Sequence, residues 1–275
     1  MTRADTTPSN LVDIWEESAR TVSSLGRRIT DEEWALPTPC PGWAVGDVVA
    51  HIIDIEQLLS GDPRPVHEPD WGSLPHATGD FGRFTEIGVD VRRGRPRLEV
   101  LDELDDVVSR RRVQLDAHPE GEPAIGPMGN PTTMDRLVRM RIFDTWAHER
   151  DIRAAIGDDT EWTTSPARIA YEQITGALPI VWAKNAGAPA GSVAVLEVTG
   201  PDFAGVFAAV VGDDGKGSAC PPAGAAVELA MTWPDLVRRA CGRVPAEETA
   251  RHSSAVLAGD PDLAAALLRA LTITP

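Results

Sequence analysis

Apolar residues recur every three or four positions through most of residues 10–156, and short β-compatible runs begin only after residue 190. That single change of period predicts a helical bundle first and a mixed α+β unit second. Asn10 to Arg28 carries Leu11, Ile14, Trp15, Ala19, Val22 and Leu25 on one helical face. Pro37-Thr-Pro-Cys-Pro-Gly42 breaks the pattern, and a second helix runs from near Val45 through Val48, Val49, Ile52, Ile55 and Leu58–Leu59 to Gly61. A third spans about Leu98 to Ala117. The fourth takes Thr132 or Thr133 as N-cap and runs from Met134 to Ile156, with Gly157 placed to stop it. Between the second and third lies Gly61–Arg97, rich in Gly and Pro, with His67, Trp71 and His76 scattered through it. Loops of that length are functional or disordered unless they hide a short helix. Four helices, one long crossover and no strand pattern describe a four-helix bundle.

Gly157–Ser165 is polar and reads as a linker, so the expected domains are residues 1–158 and 166–275. Ser165-Pro166 supplies an N-cap and a first-turn proline for a helix to about Ala183. Ser192–Val198, Gly205–Val211 and Ala225–Met231 read as strands separated by Gly, Pro and Asp turns. A helix from Trp233 to Cys241, capped by Thr232 and stopped by Gly242, and another from Pro261 to Leu271, capped by Asp260, complete an α+β domain.

The charge excludes two classes of partner. A net charge of −16 and a pI near 4.7 lack the basic footprint of a nucleic-acid binder and disfavour docking on an anionic membrane. Composition is globular, with 42% hydrophobic and 25% charged residues. No apolar run approaches a membrane span, and Met1–Thr30 contains no signal-peptide core. Three cysteines and no CxxC suggest neither a disulfide framework nor a zinc knuckle, so a reducing cytoplasmic compartment is expected. Two lysines against 24 arginines hint at a GC-rich genome.

One constellation could carry chemistry. Asp144 and His148 are four apart on the fourth helix, in a polar stripe Leu137, Arg141, Asp144, His148, Asp151. Alone, that stripe also fits an exposed face with Asp–His and Arg–Asp ion pairs. His51 lies in the apolar run Val48-Val-Ala-His-Ile-Ile53, where a core histidine bonded to a carbonyl is the alternative. In a bundle the second helix can face the fourth, and two histidines plus a carboxylate then make a divalent-metal site with a fourth position open. Spacing permits that site without establishing it. Cys40, between two prolines, reads as a structural thiol rather than a nucleophile. His67, His76 and His118 read as solvated, although His67 or His76 could reach a site under a folded-over loop. Arg243 is a helix-end or surface arginine unless it serves as the fork donor to an anionic substrate or thiol cofactor. Trp15, Trp34, Trp43, Trp146 and Trp162 read as core and interdomain packing.

Two motifs carry a resemblance. Pro39-Cys-Pro-Gly-Trp-Ala-Val-Gly-Asp-Val-Val-Ala-His51 and Asp144-Thr-Trp-Ala-His-Glu-Arg-Asp-Ile-Arg153 resemble the signatures of mycothiol-dependent maleylpyruvate isomerase-like proteins, within the wider DinB-like metalloenzymes. The tail, with Cys241-Gly-Arg243 and Gly259-Asp-Pro-Asp-Leu-Ala-Ala-Ala-Leu-Leu268, resembles that family's C-terminal domain, which is similar to sterol carrier protein. The resemblance implies a DinB-like bundle holding one divalent metal, usually zinc, through His51, Asp144 and His148. The isomerase-type member has glutamate where Asp144 stands, one methylene longer. It implies mycothiol, an actinobacterial thiol, as co-substrate.

From that resemblance the expected activity is zinc-dependent addition of the thiol to a small electrophile, as S-transferase or as cis–trans isomerase of the maleylpyruvate type. A DinB-like hydrolase or detoxifying transferase using water or another thiol is the rival enzyme. A non-catalytic ligand-binding or regulatory module is the rival of another class. The expected chain is a monomer or weak dimer, with substrate in the cleft between domains, partly covered by Gly61–Arg97.

Overall fold

The computed structural model describes residues 11–118, 121–251 and 256–274. Asn10, the expected start of the first helix, lies outside them, as does the first part of Met1–Thr30. The chain forms two compact units, Met1–Ile169 and Ala170–Pro275.

In the first unit, helix α1 (Leu11–Arg28) buries Trp15, Ser18, Ala19, Val22, Ser23, Leu25 and Gly26, the face its sequence spacing defines. A short helix α2 (Asp31–Trp34) follows, closed by a capping box in which Thr30 and Glu33 satisfy each other's backbone donors. Helix α3 (Val45–Leu59) buries Val45 and the nine consecutive residues from Val48 to Glu56, two acids and a histidine among them. A helix buried on every side is a central one. Helix α4 (Gly79–Asp90) packs on α3, and α5 (Arg97–Asp116) packs on both α1 and α3. A two-stranded ribbon, β1 (Pro123–Ile125) and β2 (Pro131–Thr133), leads into α6 (Met134–Ala155), which packs against α1 and α3. The four long helices α1, α3, α5 and α6 are the bundle.

Gly157 ends α6 with φ +72°, and the Asp158 amide reaches back to the Arg153 carbonyl at 2.9 Å. That is a Schellman closure, which needs a residue tolerant of the left-handed region.

Two features depart from expectation. The Gly61–Arg97 insertion contains the twelve-residue helix α4. Its three glycines lower helix propensity enough to mask it in the sequence. Gly88 is there for close approach: a Cβ at that position would lie 2.0 Å from the Asp54 carboxyl carbon. Gly88→Ala therefore forces α4 away from α3, with an expected loss of about 1–3 kcal/mol in urea unfolding; parent-like stability would contradict this packing account. The β1–β2 ribbon also escaped the sequence pattern, because three-residue strands that each begin with proline show no alternation.

Helix α7 (Ser165–Gly176) spans the division between the units and is capped one residue earlier than expected: Thr164 Oγ1 accepts the Ala167 amide. It stops at Gly176 instead of running to Ala183. A short turn of helix α8 (Leu178–Ile180) and a wider π turn at Val181–Asn185 take over, where Pro179 interrupts the regular ladder.

The second unit is a five-stranded sheet in the order β5-β4-β3-β6-β7, from β3 (Val193–Thr199), β4 (Gly205–Val211), β5 (Gly217–Ala219), β6 (Val227–Thr232) and β7 (Val256–Gly259). The pair β3–β6 is parallel and the other three pairs are antiparallel. Two edge strands of three and four residues, β5 and β7, add to the three expected. Helices α9 (Trp233–Ala240), α10 (Ala246–Thr249) and α11 (Pro261–Ala270) accompany it, α9 and α11 capped by Thr232 and Asp260. Tyr171, Phe203, Phe207 and Trp233 form an aromatic cluster with ring centroids 5.1–5.7 Å apart. No helix among the described residues is long and apolar enough to cross a membrane.

Candidate metal centre

His51 projects from the middle of α3, while Asp144 and His148 project one turn apart from α6. The packing of α3 on α6 brings one donor atom from each within 4.8 Å of the others. His51 Nε2 lies 3.5 Å from Asp144 Oδ2, and His148 Nε2 lies 3.9 Å from Asp144 Oδ1. The two imidazole centroids are 4.9 Å apart at 71°. Both histidines are buried, whereas the Asp144 side chain keeps 29% of its surface. The cluster is thus open to solvent on the carboxylate side.

The groups around it fix protonation and orientation. Burial pushes the His51 imidazole below its ordinary value, more than the neighbouring Asp144 can restore. Burial by itself would raise the Asp144 carboxyl, but Arg141 first, then His51 and His148, outweigh it and hold it well below the usual carboxylate range. A neutral imidazole beside an ionised carboxylate is what a divalent cation requires. His148 Nδ1 meets Asp151 Oδ2 at 3.0 Å, which orients the ring with Nε2 toward the cluster. His51 Nδ1 is buried with no hydrogen-bond partner. The donor set of two imidazoles and a carboxylate fits a bound divalent ion.

Behind the ligand candidates stands a buried charge relay. Arg141 donates to Asp144 Oδ2 at 2.7 Å and through Nε to Glu56 Oε1 at 2.8 Å. Glu56 Oε1 also accepts the Trp15 indole N–H at 3.1 Å, and Arg111 Nε lies 3.8 Å from Oε2. Asp144 is therefore held by a guanidinium that is itself held by α3.

Trp43 forms a wall of the cluster, its ring 5.0 Å from His51 and 5.8 Å from His148. Its indole N–H donates to Glu86 Oε2 at 2.9 Å, on α4. His76 Nε2 lies 3.1 Å from the same oxygen. The insertion thus anchors the wall. His67 and His76 are not simply solvated: His67 Nε2 is 2.6 Å from Asp90 and both rings are partly buried. His118 is exposed and pairs with Glu122 at 2.7 Å. Arg243 lies in the second unit, where Nη1 donates to the Cys241 carbonyl at 2.8 Å at the end of α9.

Sequence reasoning missed Glu56 and Glu86, and it took Trp43 for packing alone. An acid inside the run Ile52-Ile-Asp-Ile-Glu56 is a signal for the first. It also set Cys40 aside, yet Cys40, His148 and Asp151 form a second group of donor atoms within 4.8 Å of one another.

A helical bundle with two histidines and an aspartate converging inside it, followed by an α+β unit, defines the class: a two-unit protein with a candidate metal centre in its bundle. The family model for the mycothiol maleylpyruvate isomerase N-terminal domain matches residues 13–153, just over half of the chain, and that for the C-terminal domain matches residues 168–266. The chain belongs to the mycothiol maleylpyruvate isomerase family. It is similar to two uncharacterized proteins of Mycobacterium tuberculosis, from strains CDC 1551 / Oshkosh and ATCC 25618 / H37Rv. Each is 23% identical over 138 residues, 50% of this chain and 52% of the relative. The chain spans about half the length of these curated relatives in the match. The crystal structure of the mycothiol-dependent maleylpyruvate isomerase shares its fold, with TM-score 0.55, 16% identity, and coverage of 94% of this chain and 96% of that one. A histidine-to-alanine mutant of that isomerase gives 0.54 and 14%, covering 89% and 93%.

Proposed function

We propose that this protein is a zinc-dependent enzyme that adds the sulfur of a low-molecular-weight thiol, mycothiol, to a small electrophile. The supporting observation is the convergence of His51, Asp144 and His148 with two buried rings and a carboxylate open to solvent. A zinc ion held by these three residues supplies Lewis acidity that favours the thiolate over a thiol of ordinary pKa near 8.5. Asp151 orients the His148 ring, Arg141 fixes Asp144, and Trp43 closes one side against water. With a conjugated cis alkene such as maleylpyruvate, sulfur–carbon bond formation makes the double bond single, rotation follows, and elimination returns the thiol and the trans isomer. With an electrophile that cannot eliminate, the sulfur stays attached. Arg243 is the candidate donor to a substrate or cofactor carboxylate. The family membership supports the thiol and the isomerase-type chemistry. The protein is expected to act in the cytoplasm as a monomer or weak dimer.

The test is incubation of zinc-loaded protein with mycothiol and a panel of electrophiles including maleylpyruvate, read by mass spectrometry for S-adducts and by absorbance for isomerisation. Thiol-dependent turnover that chelation abolishes and zinc restores is the expected result. Turnover that survives chelation, or proceeds without thiol, overturns the reading. A second reading follows from Cys40 lying beside His148 and Asp151, the members of a cysteine–histidine–aspartate nucleophile. Cys40→Ser separates the two: retained turnover supports the external thiol, and lost turnover in folded, zinc-loaded protein supports the cysteine.

A further inference from the structure

Cys40 is held in place by its backbone. Thr38 N and Oγ1 both donate to the Trp43 carbonyl at 2.9 Å, the Cys40 amide donates to Thr38 Oγ1 at 3.2 Å, and the Trp43 amide donates to the Cys40 carbonyl at 3.1 Å. Gly42 completes the turn at φ +80°, where a Cβ would fall 2.2 Å from the His76 ring. The loop therefore presents its sulfur from a fixed position, and Pro39 and Pro41 on either side stiffen it further.

What it faces is a second donor set. Cys40 Sγ, one ring nitrogen of His148 and a carboxylate oxygen of Asp151 lie within 4.8 Å of one another, and Asp151 and His148 are buried. Around a tetrahedral zinc ion, neighbouring donor atoms sit roughly 3.4–3.7 Å apart, so this set closes with about an ångström of side-chain adjustment. Sulfur, imidazole and carboxylate together suit a soft or borderline divalent ion better than a hard one.

We infer that Cys40, His148 and Asp151 form a second seat for a thiophilic divalent cation, adjoining the seat at His51, Asp144 and His148 and sharing its histidine. A neutral imidazole has one acceptor nitrogen, so the two seats hold one ion between them while the ring keeps its proton. A soft ion favours the Cys40 seat, and a hard one favours the oxygen and nitrogen donors around Asp144. This inference rests on the metal reading above, and it makes Cys40 an internal sulfur donor that competes with an external thiol.

Cobalt(II) and cadmium(II) alone, added to the full chain, test it. One equivalent of cobalt gives wild-type protein a thiolate-to-cobalt charge-transfer band in the near ultraviolet. His51→Ala and Asp144→Asn keep that band, whereas Cys40→Ser and Asp151→Asn lose it. Cadmium binds Cys40→Ser at least about tenfold more weakly than wild type, while manganese affinity is unchanged. Cobalt bound to wild type with ligand-field bands but no charge transfer, and lost in His51→Ala, overturns the second seat and leaves the first standing. Equal cadmium affinity of wild type and Cys40→Ser overturns it too, and a failure to take up cobalt at all overturns both.

Discussion

His148→Ala leaves the purified protein without stoichiometric metal, and its zinc affinity falls by roughly 100-fold or more, since loss of even an outer partner of a metal ligand typically costs 10–100-fold. The size of the effect follows from position. His148 joins both donor sets, with His51 and Asp144 on one side and Cys40 and Asp151 on the other. Removing the ring also takes the imidazole from the buried Asp151 carboxylate, 3.0 Å away in the parent. Asp151→Asn keeps the ring but loses its orientation, and a loss of about 10–100-fold is expected there. Elemental analysis of dialysed protein and competition with a chromogenic chelator measure both. Parent-like zinc retention in His148→Ala, with a native circular-dichroism spectrum, would sink the metal centre.

Glu56→Ala destabilises the bundle by about 3–5 kcal/mol, the usual cost of breaking a buried ion pair by deleting one partner. Glu56 is 1% exposed, and it faces Arg141 at 2.8 Å, Arg111 at 3.8 Å and the Trp15 indole at 3.1 Å. Deleting the carboxylate takes the buried counter-charge from Arg111 and leaves Arg141 with Asp144 as its remaining carboxylate partner. Urea unfolding followed by fluorescence measures the loss. Glu56→Gln keeps an acceptor of the same shape and costs less than Glu56→Ala. Glu56→Ala frees Arg141 from α3, so Asp144 loses its fixed position and metal affinity falls in parallel with stability, whereas Glu56→Gln keeps the contact and loses less of both. A stable Glu56→Ala variant with parent metal affinity would show that the relay holds neither the fold nor the site.

The bundle was readable where helical spacing was strong. The runs at Leu11–Leu25, Val45–Leu59, Leu98–Leu115 and Met134–Ile156 each became a long helix of the first unit. Such spacing reports which face of a helix seeks the core, and nothing in it depends on the partner. Helix α4 was hidden for the opposite reason. Gly79, Gly82 and Gly88 weaken its local preference, and its stability comes from packing on α3, where Gly88 admits the Asp54 side chain. In the second unit, the three longer strands are apolar, β-compatible runs between Gly, Pro and Asp turns and could be read, while β5 and β7 are too short to stand out.

The candidate site divides along the same line. His51, Asp144 and His148 stood out as residues: a histidine in an apolar run and a polar pair at i, i+4, identified together through two local motifs. Short-range order carries that kind of information, because both motifs lie within single helices and the turn before α3. The neighbours that give the pair its chemistry come from far along the chain. Glu56 reaches Arg141 across 85 residues, and Trp43 reaches Glu86 across 43. Cys40 meets His148 and Asp151 only once the Pro–Gly turn before α3 is laid against α6. The sequence by itself determined the four long helices of the bundle, the three longer strands of the sheet and which three residues stand as candidate donors. Tertiary structure alone decided their burial, the charge relay behind Asp144, the tryptophan wall and the sulfur beside His148, because each of these is a distance between elements, and periodicity within one element contains no such distance.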